Sequence, residues 1–210
     1  MIKRLEKWEH LKVLTYGPCF FADNLRPNPW VIALSRLWEK TYPNQVEFLI
    51  RGLGGVNSLW GLDNLQQKVI NEQPDIIMME WAINDAKNNG DGEVRGGVSL
   101  RQCENNLKIL ISRIQEKLPN CQIILWTTTP ISTKGRDLNL DDYYAVNRKV
   151  ANELGLLLID LYPVFKTLKI EKNDEYWLCL SSDEGHLTRY GAKKIVIPFL
   201  LDRLNETTLG

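Results

Sequence analysis

Histidine is nearly missing from this chain: two occur in 210 residues, His10 and His186. Any imidazole chemistry therefore falls on one of those two. Cysteine is scarce and scattered, at positions 19, 103, 121 and 179, with no C-x-x-C pair. Neither a zinc site nor a disulfide framework is expected from such spacing, and a reducing, cytoplasmic setting fits it best. An excess of one charge is also lacking, since 26 basic side chains meet 26 acidic ones. No global field then recruits nucleic acid or an anionic membrane, and Lys193-Lys194 reads as a solvated helix face. Long apolar runs are absent too. The opening segment, Met1 to His10, is too charged for a signal peptide, so no transmembrane segment is expected. Repeats, low-complexity tracts and linkers are not found. A single domain over residues 1–210 is the expectation, with ample apolar residues for a core.

What the chain does contain is a regular alternation. Leu11 to Tyr16, Val46 to Ile50, Ile76 to Trp81, Gln122 to Thr127 and Leu156 to Asp160 are short runs rich in Val, Ile, Leu and aromatics. Strands buried on both faces have this composition. Helical periodicity fills the intervals, at about 31–41, 62–72, 99–118, 141–154 and 190–204. The clearest stripe joins Leu107, Leu110, Ile111, Ile114 and Leu118, and Pro119-Asn120 stops it. Strand–helix alternation predicts a parallel sheet with helices on both faces. The polar, glycine-rich stretch from Asn88 to Gly97 reads as a loop within the domain.

In such folds ligands bind beyond the carboxyl ends of the strands. Small and polar residues crowd those ends here. Gly17-Pro18-Cys19 follows the first strand and Gly54-Gly55-Val56-Asn57-Ser58 the second. Ala82-Ile83-Asn84-Asp85 follows the third, and Asp183-Glu184-Gly185-His186 precedes the last helix. His186 lies three positions after Asp183, close enough for the carboxylate to reach the imidazole. That contact would fix the tautomer and leave the other ring nitrogen able to take a proton. Taken singly, each segment also has a plain structural reading. Asn84-Asp85 suits an Asx-stabilised turn, and Cys19 suits a small buried hydrophobe.

In their order and placement these segments resemble the blocks of the SGNH hydrolase superfamily, the GDSL-type esterases and lipases. The similarity runs from the first strand to the final helix. The resemblance implies a flavodoxin-like three-layer α/β/α sandwich with a five-stranded parallel sheet, and ester hydrolysis without metal or organic cofactor. It implies His186 as general base, Asp183 as its orienter, and an oxyanion hole from Asn84 and the backbone N–H groups of Gly55 and Cys19. A glycine at 55 would let its N–H approach the reacting oxygen closely. Gly54, one position away, competes for that role. Two positions depart from the family pattern: Ala82 replaces a glycine, and Cys19 stands where the family has serine.

Three readings of Cys19 follow. It is a nucleophile activated by His186, or part of a site that binds without turnover, or a packed side chain outside the site. On the first, the chain cleaves a small-molecule carboxylic ester through an acyl-enzyme, with acyltransfer as a variant. On the second, it is a catalytically silent, carbohydrate-type ligand binder. A redox role lacks a resolving cysteine nearby. Phe20 and Phe21 are expected at the mouth of the site. Trp60, Trp81 and Trp126 are expected in the core or lining a pocket. Glu80, Asp85 and Arg51 are read either as substrate contacts or as structural groups.

Overall fold

The computed structural model describes residues 10–22, 29–86, 97–130, 139–181 and 186–206, with residues 205 and 206 as backbone only. Five parallel strands form one sheet in the order β2-β1-β3-β4-β5. They are β1 (Leu11–Tyr16), β2 (Val46–Ile50), β3 (Ile76–Met79), β4 (Gln122–Thr127) and β5 (Leu157–Asp160). The principal helices between them are α1 (Pro29–Thr41), α2 (Ser58–Lys68), α3 (Ala82–Asp85), α4 (Leu100–Lys117) and α5 (Leu140–Glu153). After β5 come α6 (Leu161–Glu171), α7 (Asn173–Cys179), α8 (Arg189–Gly191) and α9 (Ile197–Glu206), with a π-helical turn, Ala192–Val196, joining the last two.

Strand alternation sorts the core into two layers. Val13, Ile76, Met78, Ile124, Trp126 and Ile159 face one side, where α1, α6, α7 and α9 cover them. Leu14, Tyr16, Ile77, Met79, Ile123 and Leu125 face the other, under α2, α4 and α5. Every residue of β3 is buried, as befits a strand between two neighbours and two helix layers. The result is the three-layer α/β sandwich expected from the alternating pattern.

Local chemistry sets the helix starts. Ser99 accepts from the Gln102 N–H while the Gln102 side chain answers at the Ser99 N–H, a capping box that opens α4. Asn57 Oδ1 accepts from the N–H groups of Leu59 at 3.2 Å and Trp60 at 3.3 Å, opening α2 four residues before the periodicity begins. Helices α6 and α7 have no counterpart in the sequence reading. Strand β5 runs into α6 without a loop, and within the run from Leu156 to Phe165 Asp160 and Pro163 are the marks of the change. The loop predicted over 88–97 lies outside the described residues except for Gly97.

Among the described residues, no helix is long and apolar enough to cross a membrane.

Candidate active site

In this strand order the chain leaves β1 toward one sheet edge and returns past it, so the crevice opens between the ends of β1 and β3. Close backbone packing brings three strand ends together there. A Cβ on Gly17 would stand 2.5 Å from the Glu80 carbonyl oxygen, and one on Gly52 would stand 2.5 Å from the Gly17 oxygen. The Leu53 N–H donates to that same Gly17 oxygen at 3.0 Å. The segments after β1 and β2 thus ride directly on the end of β3.

Cys19 opens a 3₁₀ turn, Cys19–Phe21, immediately after β1. Thr15 Oγ1 donates to the Phe21 oxygen at 3.1 Å and Trp30 Nε1 to the Phe20 oxygen at 2.8 Å, fixing the turn from beneath. Phe20 and Phe21 are buried against Trp30 and Trp126. The apolar mouth expected from them is therefore corrected: they are core, and their burial anchors the cysteine. Trp81 and Trp126 are core as well, while Trp60 is half-buried beside Tyr16.

The Cys19 side chain, half-buried, meets two groups. The Gly55 N–H donates to its sulfur at 3.3 Å, and the His186 side chain is hydrogen-bonded to it. The His186 bond is the largest influence holding the thiol below its ordinary range. Desolvation opposes it, while the Gly55 N–H and the N–H of Cys19 itself assist. Gly55 sits at φ +82°, and a Cβ there would meet nothing within 4 Å. The close-approach reason for a glycine at 55 is thus replaced by a conformational one, the left-handed backbone that aims its N–H at the sulfur. Gly55, rather than Gly54, makes that contact.

His186 is exposed on a pinned turn. The Ser181 N–H donates to the His186 oxygen at 2.7 Å, the Thr188 N–H donates to the Cys179 oxygen at 2.9 Å, and Leu180 pairs with Leu187. Asp183 lies outside the described residues.

Asn84 stands on α3, past the end of β3. Its Nδ2 donates to the Val56 oxygen at 2.7 Å, tying it to the residue after Gly55. Beside it, buried Asp85 accepts from the Ser58 N–H at 2.8 Å, and Asn106 Nδ2 donates to Ser58 Oγ at 2.8 Å. Asp85 is thus structural, and burial pushes its carboxyl up to about 6. Arg51 pairs with Glu72 at 2.6 Å at the edge of the sheet. Gly55 and His186 both meet the Cys19 side chain, and Asn84 is linked to the same loop as Gly55.

The sequence reading offered Glu80 two roles and fixed neither. The residue is fully buried, Oε1 accepts from the Ile83 N–H at 2.7 Å, and Oε2 has no hydrogen-bond partner. An acid inside the apolar run that forms β3 was the signal available.

The family profile of the GDSL-like lipases and acylhydrolases matches residues 14–194, from β1 into the last helical segment.

The chain belongs to the GDSL-like lipase/acylhydrolase family.

Its class of chemistry is accordingly ester hydrolysis. A GDSL esterase/lipase of Arabidopsis thaliana is 22% identical over 202 residues, covering 86% of this chain and 80% of the relative. Among solved structures, the acetylxylan esterase Axe2 of Geobacillus stearothermophilus has a TM-score of 0.78 at 20% identity, covering 93% of this chain and 94% of that one. The acetyl xylan esterase AlAXEase has a TM-score of 0.76 at 21% identity, covering 94% and 99%. At these identities the likeness is one of fold.

Proposed function

We propose that this chain, as a single SGNH-hydrolase-like domain, cleaves a small-molecule carboxylic ester through an acyl-enzyme formed on Cys19. The reading rests on one observation above all: the Cys19 side chain is hydrogen-bonded to the His186 side chain, with the Gly55 N–H on the same sulfur. A thiol held below its ordinary range gives up its proton more readily than a free one, and the thiolate is the nucleophile.

The steps follow from what each group can do. The Cys19 sulfur attacks the ester carbonyl, and its proton passes to His186. The carbonyl oxygen becomes an oxyanion, and the N–H groups of Cys19 and Gly55 with the Asn84 amide supply donors for it. The C–O bond to the alcohol then breaks, and His186 returns the proton to the departing oxygen. Water, deprotonated by His186, attacks the thioester and releases the acid. Asp183, three residues before His186, is assigned the task of holding the ring tautomer. No metal or organic cofactor enters these steps.

The substrate classes proposed are acylated carbohydrate, lipid and aryl ester. Acetylated sugars lead the panel because two solved structures of the same fold are acetylxylan esterases. The test is hydrolysis of a short-chain aryl ester and of acetylated oligosaccharides, before and after alkylation with iodoacetamide. Turnover that survives complete alkylation of Cys19 removes it from the mechanism. A wild-type protein that binds acetylated sugars without turnover would favour a silent binding site on the same fold.

A further inference from the structure

Glu80 and Asp85 are the two buried acidic side chains among the described residues, and Glu80 stands between β3 and Trp81, the N-cap of the turn that carries Asn84. Its Oε1 accepts the Ile83 N–H at 2.7 Å and so caps α3 from the inside. That helix is four residues long, with no side-chain cap from its own N-cap residue, Trp81. The Glu80 oxygen thus fixes the orientation of a segment too short to hold itself. From that segment Asn84 reaches the Val56 oxygen. The Glu80 backbone lies against Gly17, two residues before Cys19. One residue therefore touches both the support of the oxyanion donor and the support of the nucleophile.

The other oxygen, Oε2, is buried without a partner. A carboxylate in that state is costly, whereas a carboxylic acid carries no charge to desolvate. Its surroundings point the same way. Asp85 on α3 and Cys19 beyond β1 both bear or acquire negative charge near it. Cys103 on α4 and Tyr144 on α5 are the other titratable groups, among the described residues, that sense Glu80. No cation is among them.

We propose that Glu80 is a neutral carboxylic acid at the floor of the site, a positioning residue that orients the Asn84 turn through Oε1 and keeps like charge away from the Cys19 thiolate. Its role as a support for Asn84 deepens the reading of Cys19, Gly55 and Asn84 given above. Its protonation state does not depend on turnover. Burial above all pushes its carboxyl well above the usual range; the Ile83 N–H opposes it most and the Ala82 N–H less, while Asp85 and Cys19 add to the rise.

Three full-length variants separate the alternatives: E80Q, E80A and E80D. Gln keeps a neutral acceptor for the Ile83 N–H, Ala removes it, and Asp retains the acid with less reach. Thiolate absorbance gives the Cys19 titration in every variant, whether or not the protein turns over ester. In E80Q the Cys19 midpoint should match wild type, because a neutral group replaces a neutral group. A midpoint that falls by about one unit or more in E80Q would mean that a negative charge had been removed, and overturns the neutral assignment. For aryl ester hydrolysis, E80Q should stay within about twofold of wild type. E80A and E80D should lose about 10²-fold in kcat with little change in KM, as misplacement of a transition-state donor does. Full kcat in a folded E80A overturns the positioning role. If wild type lacks esterase activity, the titration still decides the charge state, and the hydrolytic reading fails separately.

Discussion

The backbone N–H of Gly55 donates to the sulfur of Cys19 at 3.3 Å, across 36 residues of sequence. One atom pair thereby joins the ends of β1 and β2 at the crevice. It also places a hydrogen-bond donor on an atom that His186 already contacts. A thiol met by two such groups differs from an ordinary buried cysteine, and several consequences can be measured.

Alkylation by iodoacetamide, followed by mass spectrometry at Cys19, should show a rate midpoint below the ~8.5 of an ordinary thiol. His186→Ala should move that midpoint upward, because the largest influence lowering it is gone while desolvation remains. An unchanged midpoint in His186→Ala would break the link between the two side chains.

Cys19→Ser tests whether the remaining groups form a working hydrolytic site. Serine depends wholly on His186 for its proton transfer. Measurable hydrolysis of a short-chain aryl ester is expected in this variant. Adding Asp183→Asn should remove most of it through loss of the tautomer. Inert wild type together with inert, folded Cys19→Ser across a broad ester panel would leave the binding reading standing.

Asn84→Ala should lower kcat by about 10²-fold, the usual cost of one lost oxyanion donor, with KM little changed. The Val56 carbonyl loses a partner in the same variant, so thermal melting should be recorded beside the kinetics. A drop confined to KM would place Asn84 in ground-state binding instead.

Two glycines should fail for different reasons. In Gly17→Ala the new methyl would meet the Glu80 oxygen at 2.5 Å, so the Cys19 turn must shift and activity should fall sharply. In Gly55→Ala the methyl meets nothing, and the cost is the left-handed backbone, about 1 to 2 kcal/mol. Gly55→Ala should therefore fold, with a Cys19 titration displaced upward as the N–H leaves the sulfur. Crystal structures of the two variants would check the directions of movement.

Asp85 should leave a mark on stability. Its carboxyl is raised from 3.8 to about 6, chiefly by burial. The folded state then binds the proton more tightly than the unfolded state. The stabilisation is complete below about pH 4 and is lost as pH rises through about 6. Asp85→Asn keeps an oxygen for the Ser58 N–H and should flatten the stability profile in that window. The change amounts to roughly 3 kcal/mol at most, read by urea unfolding at pH 4, 5, 6 and 7. An identical slope in both proteins would mean that Asp85 does not titrate there.

The sequence by itself determined the layered fold and the order of the site segments. Buried parallel strands need Val, Ile and Leu on both faces, so β1 and β4 stand out as apolar runs, and the amphipathic stripe of α4 could not be missed. Cys19, Gly55, Asn84 and His186 could be named because the segments after the strands and before the last helix resemble the blocks of the family. Asp183 could be named as well, though it lies outside the described residues. Tertiary structure alone decided the rest. Phe20 and Phe21 look the same in sequence whether they line a mouth or a core; only the packing of Trp30 and Trp126 makes them core. Gly55 required its φ angle to be known, and Glu80 required knowledge of what surrounds each carboxylate oxygen. Periodicity reports which face of an element is apolar, but a hydrogen bond between residues 36 positions apart depends on where the whole sheet brings their loops.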